Sequence, residues 1–231
     1  MPRIRPRIRA FSLVELIVVI GIIALLISIL MPTLAKARRA AINTQCAANL
    51  RQIAVAFNNY LIDSRGSVFW RAPDVNQDGV EWYVYGGRET GNAYVGPQGD
   101  LFNKIIPRPL NKYVGGQLKV FYCPSDDVIA PWSDMYGGPV AIHHEWVGTS
   151  YNFNAVGDPE GGIIAPNKGM VGKKFSTAVK DPSRTILFLD ASLVYPGTWH
   201  GGNRGNVCLA DGHVVFTRRP HSDPDEYTWG Q

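Results

Sequence analysis

The sequence predicts an α+β protein: a long N-terminal helix serving as membrane anchor and spine, then a small, mainly antiparallel β-sheet head. Three observations carry this. From Leu13 to Met31 only Glu15 bears a charge, and nineteen residues at a rise of ~1.5 Å cover roughly 28 Å, the hydrocarbon thickness of a bilayer. After Pro32, Ile42, Cys46, Leu50, Ile53, Phe57 and Tyr60 recur at spacings of four, four, three, four and three, which draws one apolar stripe on a helix. Beyond Gly66 the chain turns to short apolar runs punctuated by Gly, Pro and Asn, the pattern of short strands and long loops.

The elements follow in order. Pro32 removes one hydrogen bond and favours a kink, which neighbours tolerate inside a membrane. Alanines at 35, 37, 40, 41, 47, 48, 54 and 56 favour helix and close packing, so the helix runs to about residue 62. Asp63-Ser64-Arg65-Gly66 ends it, with glycine as the stop. Candidate strands are Glu81–Tyr85, Val120–Tyr122, Ser150–Phe153, Thr185–Leu189, Asn206–Leu209 and His213–Thr217. Asp211-Gly212 joins the last two as a hairpin turn. His143-His144-Glu145 reads as loop, and the last dozen residues as a loosely held tail.

An acidic residue just inside a membrane helix is costly and points to function. Ala10-Phe11-Ser12-Leu13-Val14-Glu15-Leu16, behind a leader bearing Arg3, Arg5, Arg7 and Arg9, resembles the prepilin signal of type IV pilins and type II secretion pseudopilins. The resemblance implies cleavage between Ala10 and Phe11, methylation of the new amine, and a role for Glu15 in assembly. That family usually has glycine before the cut, where this chain has alanine. A secretory signal would carry its cleavage site after the apolar core, and Met31-Pro32-Thr33-Leu34-Ala35 is a poor one. A plain signal anchor would leave Glu15 beside Phe11 unexplained. The division is a leader over 1–10, an anchor and spine helix over 11–62, and a pilin-like head over 63–231.

Further segments resemble the bacterial prepilin-type proteins with an H-X9-DG domain. They are Cys46-Ala47-Ala48-Asn49-Leu50-Arg51-Gln52-Ile53, Phe121-Tyr122-Cys123-Pro124-Ser125-Asp126, Ser150-Tyr151-Asn152 and Asp181-Pro182-Ser183-Arg184-Thr185. His200-Gly201-Gly202 and Asp211-Gly212 match the naming motif, with ten residues rather than nine between His200 and Asp211. This likeness implies the fold and a place in a secretion or pilus system; it implies no substrate.

The formal net charge is +4, and the four leader arginines account for all of it. The remaining chain is neutral, which gives no electrostatic ground for nucleic-acid binding. The positive charges flanking the apolar segment nearly balance, so the prepilin resemblance sets the topology: leader in the cytoplasm, single pass through the inner membrane, head in the periplasm or on the surface. There the three cysteines face an oxidising compartment. Cys46 and Cys123 are the preferred pair, because the stripe buries Cys46 and Cys123 ends a strand expected to pack on that face. Two reduced buried thiols are the alternative.

Two constellations could carry chemistry. His200, Asp211 and His213, with Asp190, suggest a metal or a hydrolase, but no nucleophile motif accompanies them. The bland reading is a turn at Asp211-Gly212 and a histidine pinning a glycine-rich loop. Asp74, Asn76 and Asp78 alternate before Gly79, the start of a calcium loop, with Glu81 as a further oxygen ligand. The EF-hand glutamate position is Tyr85, so a full EF-hand is excluded, and a solvated Asx turn is the alternative. Calcium is the one cofactor this pattern admits.

The favoured function is a non-enzymatic filament subunit, whose partners are a prepilin peptidase, other pilin or pseudopilin subunits and the inner membrane. The alternatives are an anchored binding head that forms no filament and an anchored metal-dependent hydrolase.

Overall fold

The computed structural model describes residues 12–69, 83–89, 107–127, 142–155, 169–194, 199–200, 204–218 and 228. Its order is α1 (Leu13–Asp63), α2 (His143–Val147), β1 (Tyr151–Phe153), α3 (Phe175–Ala178), β2 (Ile186–Asp190), β3 (Arg204–Leu209) and β4 (Val214–Arg218), with short 3-10 turns at Asn111–Val114, Leu118–Phe121 and Ala191–Leu193. The expected layout is present: one long N-terminal apolar helix, then a small antiparallel four-stranded sheet ordered β1-β2-β3-β4. The chain divides into two units, Met1–Ala41 and Ile42–Gln231.

In the first unit α1 runs through Pro32 without interruption. Its large apolar side chains, from Leu13 to Leu34, are exposed, and it is long and apolar enough to cross a membrane. Ser12 N–H donates to Glu15 Oε2 at 3.0 Å, so Ser12-Leu13-Val14-Glu15 forms half of a capping box at the helix start.

In the second unit the stripe is core. Cys46, Leu50, Ile53 and Phe57 are fully buried, with Ile42 and Tyr60 packed at its ends. Phe57 is the hub, its ring centroid 5.6 Å from Phe153 and 5.8 Å from both Phe175 and Phe188. Asn49, on the same helix, donates to Tyr122 O at 2.9 Å and Tyr151 Oη at 3.2 Å. The helix ends as expected: Gly66 N–H donates to Leu61 O at 2.7 Å. The left-handed turn uses Arg65 as well as Gly66, with φ of 53° and 74°.

The sheet meanders. Phe153 pairs with Phe188 across β1 and β2, Phe188 with Cys208 across β2 and β3, and Cys208 with Val214 across β3 and β4. The register shifts between Ile186 and Phe188, and such a bulge places two successive side chains on one face. Leu187 and Phe188 accordingly join the helix-facing core, while Ile186 and Leu189 join Leu193, Val207 and Leu209 in a second cluster. This explains why every residue of β2 is buried.

Two expectations need correction. Val120–Tyr122 is not a strand: Leu118–Phe121 is a 3-10 turn, since Val120 and Phe121 are buried together and fail the alternation of a half-exposed strand. His143-His144-Glu145 is not loop but the first turn of α2, formed because His143, Trp146 and Val147 bury one side while Gly148 closes it with φ 88°. Residues 83–85 are in a turn; the rest of the Glu81–Tyr85 expectation lies outside the described residues.

Candidate functional site: a buried cysteine, histidine and aspartate cluster

Four side chains from distant segments meet inside the head. Cys46 comes from the stripe of α1. Cys123 follows the Leu118–Phe121 turn and is held by its own N–H, which donates to Ser150 Oγ at 3.0 Å. Asp190 ends β2, and His200 sits in the turn ahead of β3. The two sulfurs and a ring nitrogen of His200 lie within 4.8 Å of one another. His200 Nε2 is 3.4 Å from Cys123 Sγ and 3.2 Å from Asp190 Oδ2. That oxygen also accepts from the backbone N–H of Asn206 at 2.6 Å and from its side-chain amide at 2.8 Å. The side chains of His200 and Asp190 are 2% and 0% exposed, so both polar groups are held away from solvent.

Burial alone would lower the affinity of His200 for its proton, but hydrogen bonds to Asp190 and Cys46 outweigh it and push the pKa up to about 9. The two thiols separate. The Cys123 thiol donates to Cys46 and, against the cost of burial, lowers Cys46 to about 7. Burial, with the neighbouring Cys46 sulfur, pushes Cys123 upward. The two shifts act in the same sense, toward a more acidic thiol at Cys46 and a more basic imidazole at His200.

The expected cysteine pair is thus brought together, as free thiols, while Cys208 lies outside the group. Burial pushes Cys208 up to about 12. The structure separates His200 from the Asp211-Gly212 turn in environment. Asp211 is exposed, its Oδ1 accepts from His213 N–H at 2.8 Å, and Gly212 closes the hairpin with φ 87°. His200 turns instead to Asp190 and the cysteines. Ala10 and Phe11 lie outside the described residues, as do Asp74, Asn76, Asp78 and Glu81. Glu15 stands at the start of α1.

A second histidine makes a pH prediction. His143 is buried, its ring 5.3 Å from Tyr83 and 5.6 Å from Trp199. Burial, with neighbouring His144 and against the pull of Asp126, lowers its pKa from 6.5 to about 4. Above pH 6.5 it is neutral in both states. As pH falls from 6.5 to 4 the unfolded chain takes a proton that the folded chain refuses, so stability falls, by about 3 kcal/mol in all for a shift from 6.5 to about 4. Denaturation of wild type and His143→Phe at pH 7 and pH 4.5 checks this; the variant should lose less stability on acidification.

Comparison with known proteins gives one match. The family described as the Prokaryotic N-terminal methylation motif matches residues 5–31. No curated protein and no solved structure matches the chain. The motif and the apolar α1 support a prepilin-like precursor with a methylation signal and a helix able to anchor it in a membrane.

Proposed function

We propose that the chain is a pilin-like or pseudopilin structural subunit, cleaved between Ala10 and Phe11, methylated on the new amine, and assembled through its N-terminal helix into a filament of the type II secretion or type IV pilus kind. The observation that carries this reading is the methylation motif over residues 5–31, continuous with an apolar helix whose one acidic residue between Leu13 and Met31 is Glu15. The resemblance of the head segments to H-X9-DG proteins agrees with it. The buried cluster in the head favours a structural role, since a hydrolase needs its metal or base open to substrate.

The test is coexpression with a prepilin peptidase, followed by intact mass of the membrane-extracted chain. The expected product lacks residues 1–10 and carries one methyl group. An uncut chain, or one cut after Ala35, would sink the reading.

A further inference from the structure

We propose that Cys46, Cys123 and His200 bind one zinc ion inside the head, with the fourth ligand supplied by a turn of the neighbouring Asp190 side chain or by water. Nothing in this depends on filament assembly. Two thiols and an imidazole are a ligand set for zinc, which prefers four tetrahedral ligands drawn from sulfur, nitrogen and carboxylate oxygen.

The distances fit. With Zn–S near 2.3 Å and Zn–N and Zn–O near 2.0 Å, a tetrahedral site has S···N edges of about 3.6 Å and N···O edges of about 3.3 Å. His200 Nε2 stands 3.4 Å from Cys123 Sγ and 3.2 Å from Asp190 Oδ2, and Cys46 Sγ completes a group no wider than 4.8 Å.

The second observation is Asp190 itself. Its Oδ2 accepts from Asn206 and faces His200, while Oδ1 is buried without a hydrogen-bond partner among the described residues. A buried, orphaned carboxylate oxygen is costly. A cation beside it removes that cost. Asn206 meanwhile holds the carboxylate in place, as outer-shell partners do in metal sites.

A simple Cys46–Cys123 bridge would use the two sulfurs alone. It would leave His200, Asp190 and the orphaned oxygen as a buried polar group with no task. Zinc accounts for all four side chains. It would also tie α1 to the turn before Cys123 and to the segment ahead of β3, so the ion adds stability as any ligand of the folded state does.

The experiment uses the full chain, purified in detergent under reducing, chelator-free conditions. Elemental analysis should find about one zinc ion per chain. Stripping it should lower the melting temperature, and zinc alone should restore it. Cobalt(II) in its place should give the intense near-ultraviolet absorption of a thiolate-bound ion. His200→Ala and Cys123→Ser should each weaken zinc binding at least about tenfold, and Cys208→Ala should not. If Cys123→Ser fails to fold, the wild-type cobalt spectrum still reports sulfur ligation directly. A reduced chain that takes up neither ion at micromolar concentration overturns the proposal. So does a peptide map, from cells alkylated before lysis, in which Cys46 and Cys123 are joined to each other.

Discussion

Arg108→Met should destabilise the head by about 3–5 kcal/mol. Arg108 is 3% exposed, and its guanidinium donates to three backbone carbonyls: Nη1 to Tyr83 O and Gly86 O, and Nη2 to Val147 O at 2.7 Å. One planar fork thereby ties the 83–89 segment to the end of α2. Methionine keeps most of the volume but removes the donor that three buried carbonyls share, at about 1–3 kcal/mol each, partly relieved by local relaxation. Lysine would serve less well, because its three donors leave from a single nitrogen and lack the planar two-nitrogen fork that reaches carbonyls of both segments. The pocket tolerates no shift: at Gly148, with φ 88°, an added Cβ would stand 2.7 Å from Arg108 Nη2 and 2.0 Å from Arg88 O. Gly148→Ala should therefore act in the same direction. Chemical denaturation of the detergent-solubilised chain measures both. Lys112→Met, at an exposed pair with Asp63, is the control expected to leave stability unchanged. A loss below about 1 kcal/mol for Arg108→Met would show that the carbonyls find other donors.

Filament recovery should fall more than about tenfold in both Glu15→Ala and Glu15→Gln, because losing an ion pair from an apolar interface costs several kcal/mol and each 1.4 kcal/mol is tenfold. Membrane insertion should hold or improve, since a charge leaves an apolar helix. The pair of variants separates two jobs. Glu15 accepts from Ser12 N–H, and glutamine can accept the same bond. If Glu15 serves only to start the helix, Glu15→Gln assembles normally and only alanine fails. If its charge meets the methylated amine of Phe11 on a neighbouring subunit, both fail. Recovery of normal filaments from Glu15→Gln would refute the pairing role.

The parts legible in the sequence were those with a period. The stripe from Ile42 to Tyr60 is written at helical spacing, and its central residues, Cys46 to Phe57, are fully buried. Strands β1 to β4 fall within a residue or two of the runs read as strands, with Asp211-Gly212 as their hairpin turn. Short runs without a period were misread. Val120-Phe121-Tyr122 has strand composition but lies in and just after a 3-10 turn, and three residues cannot distinguish the two. The Ser12-Glu15 capping box had a local signature that passed unread beneath the prepilin motif. At the cluster, the sequence suggests Cys46 with Cys123 and, separately, His200 with Asp190, Asp211 and His213, and nothing in it shows that the first pair joins His200 while Asp211 and His213 stay outside. Only the fold, with α1 and the segment before Cys123 packed on the sheet, brings the cysteines to His200. Arg108 had no signal at all: an arginine between Pro107 and Pro109 looks like loop, and its three acceptors come from segments about 20–40 residues away.

The stripe of α1 also sets a timetable for biogenesis. Phe57 packs on Phe188, and Cys46 shares its core with Cys208, yet roughly 150 residues separate the end of the stripe from Cys208. At about 5–20 residues per second, synthesis alone leaves this stripe without its partner strands for about 7–30 s. During that interval Leu50, Ile53 and Phe57 form a sticky face just beyond the apolar segment of the same helix. Two such chains made side by side would meet face to face before either head could close. A holdase that covers residues 42–61 until β3 emerges would therefore raise yield more than any substitution in the finished core.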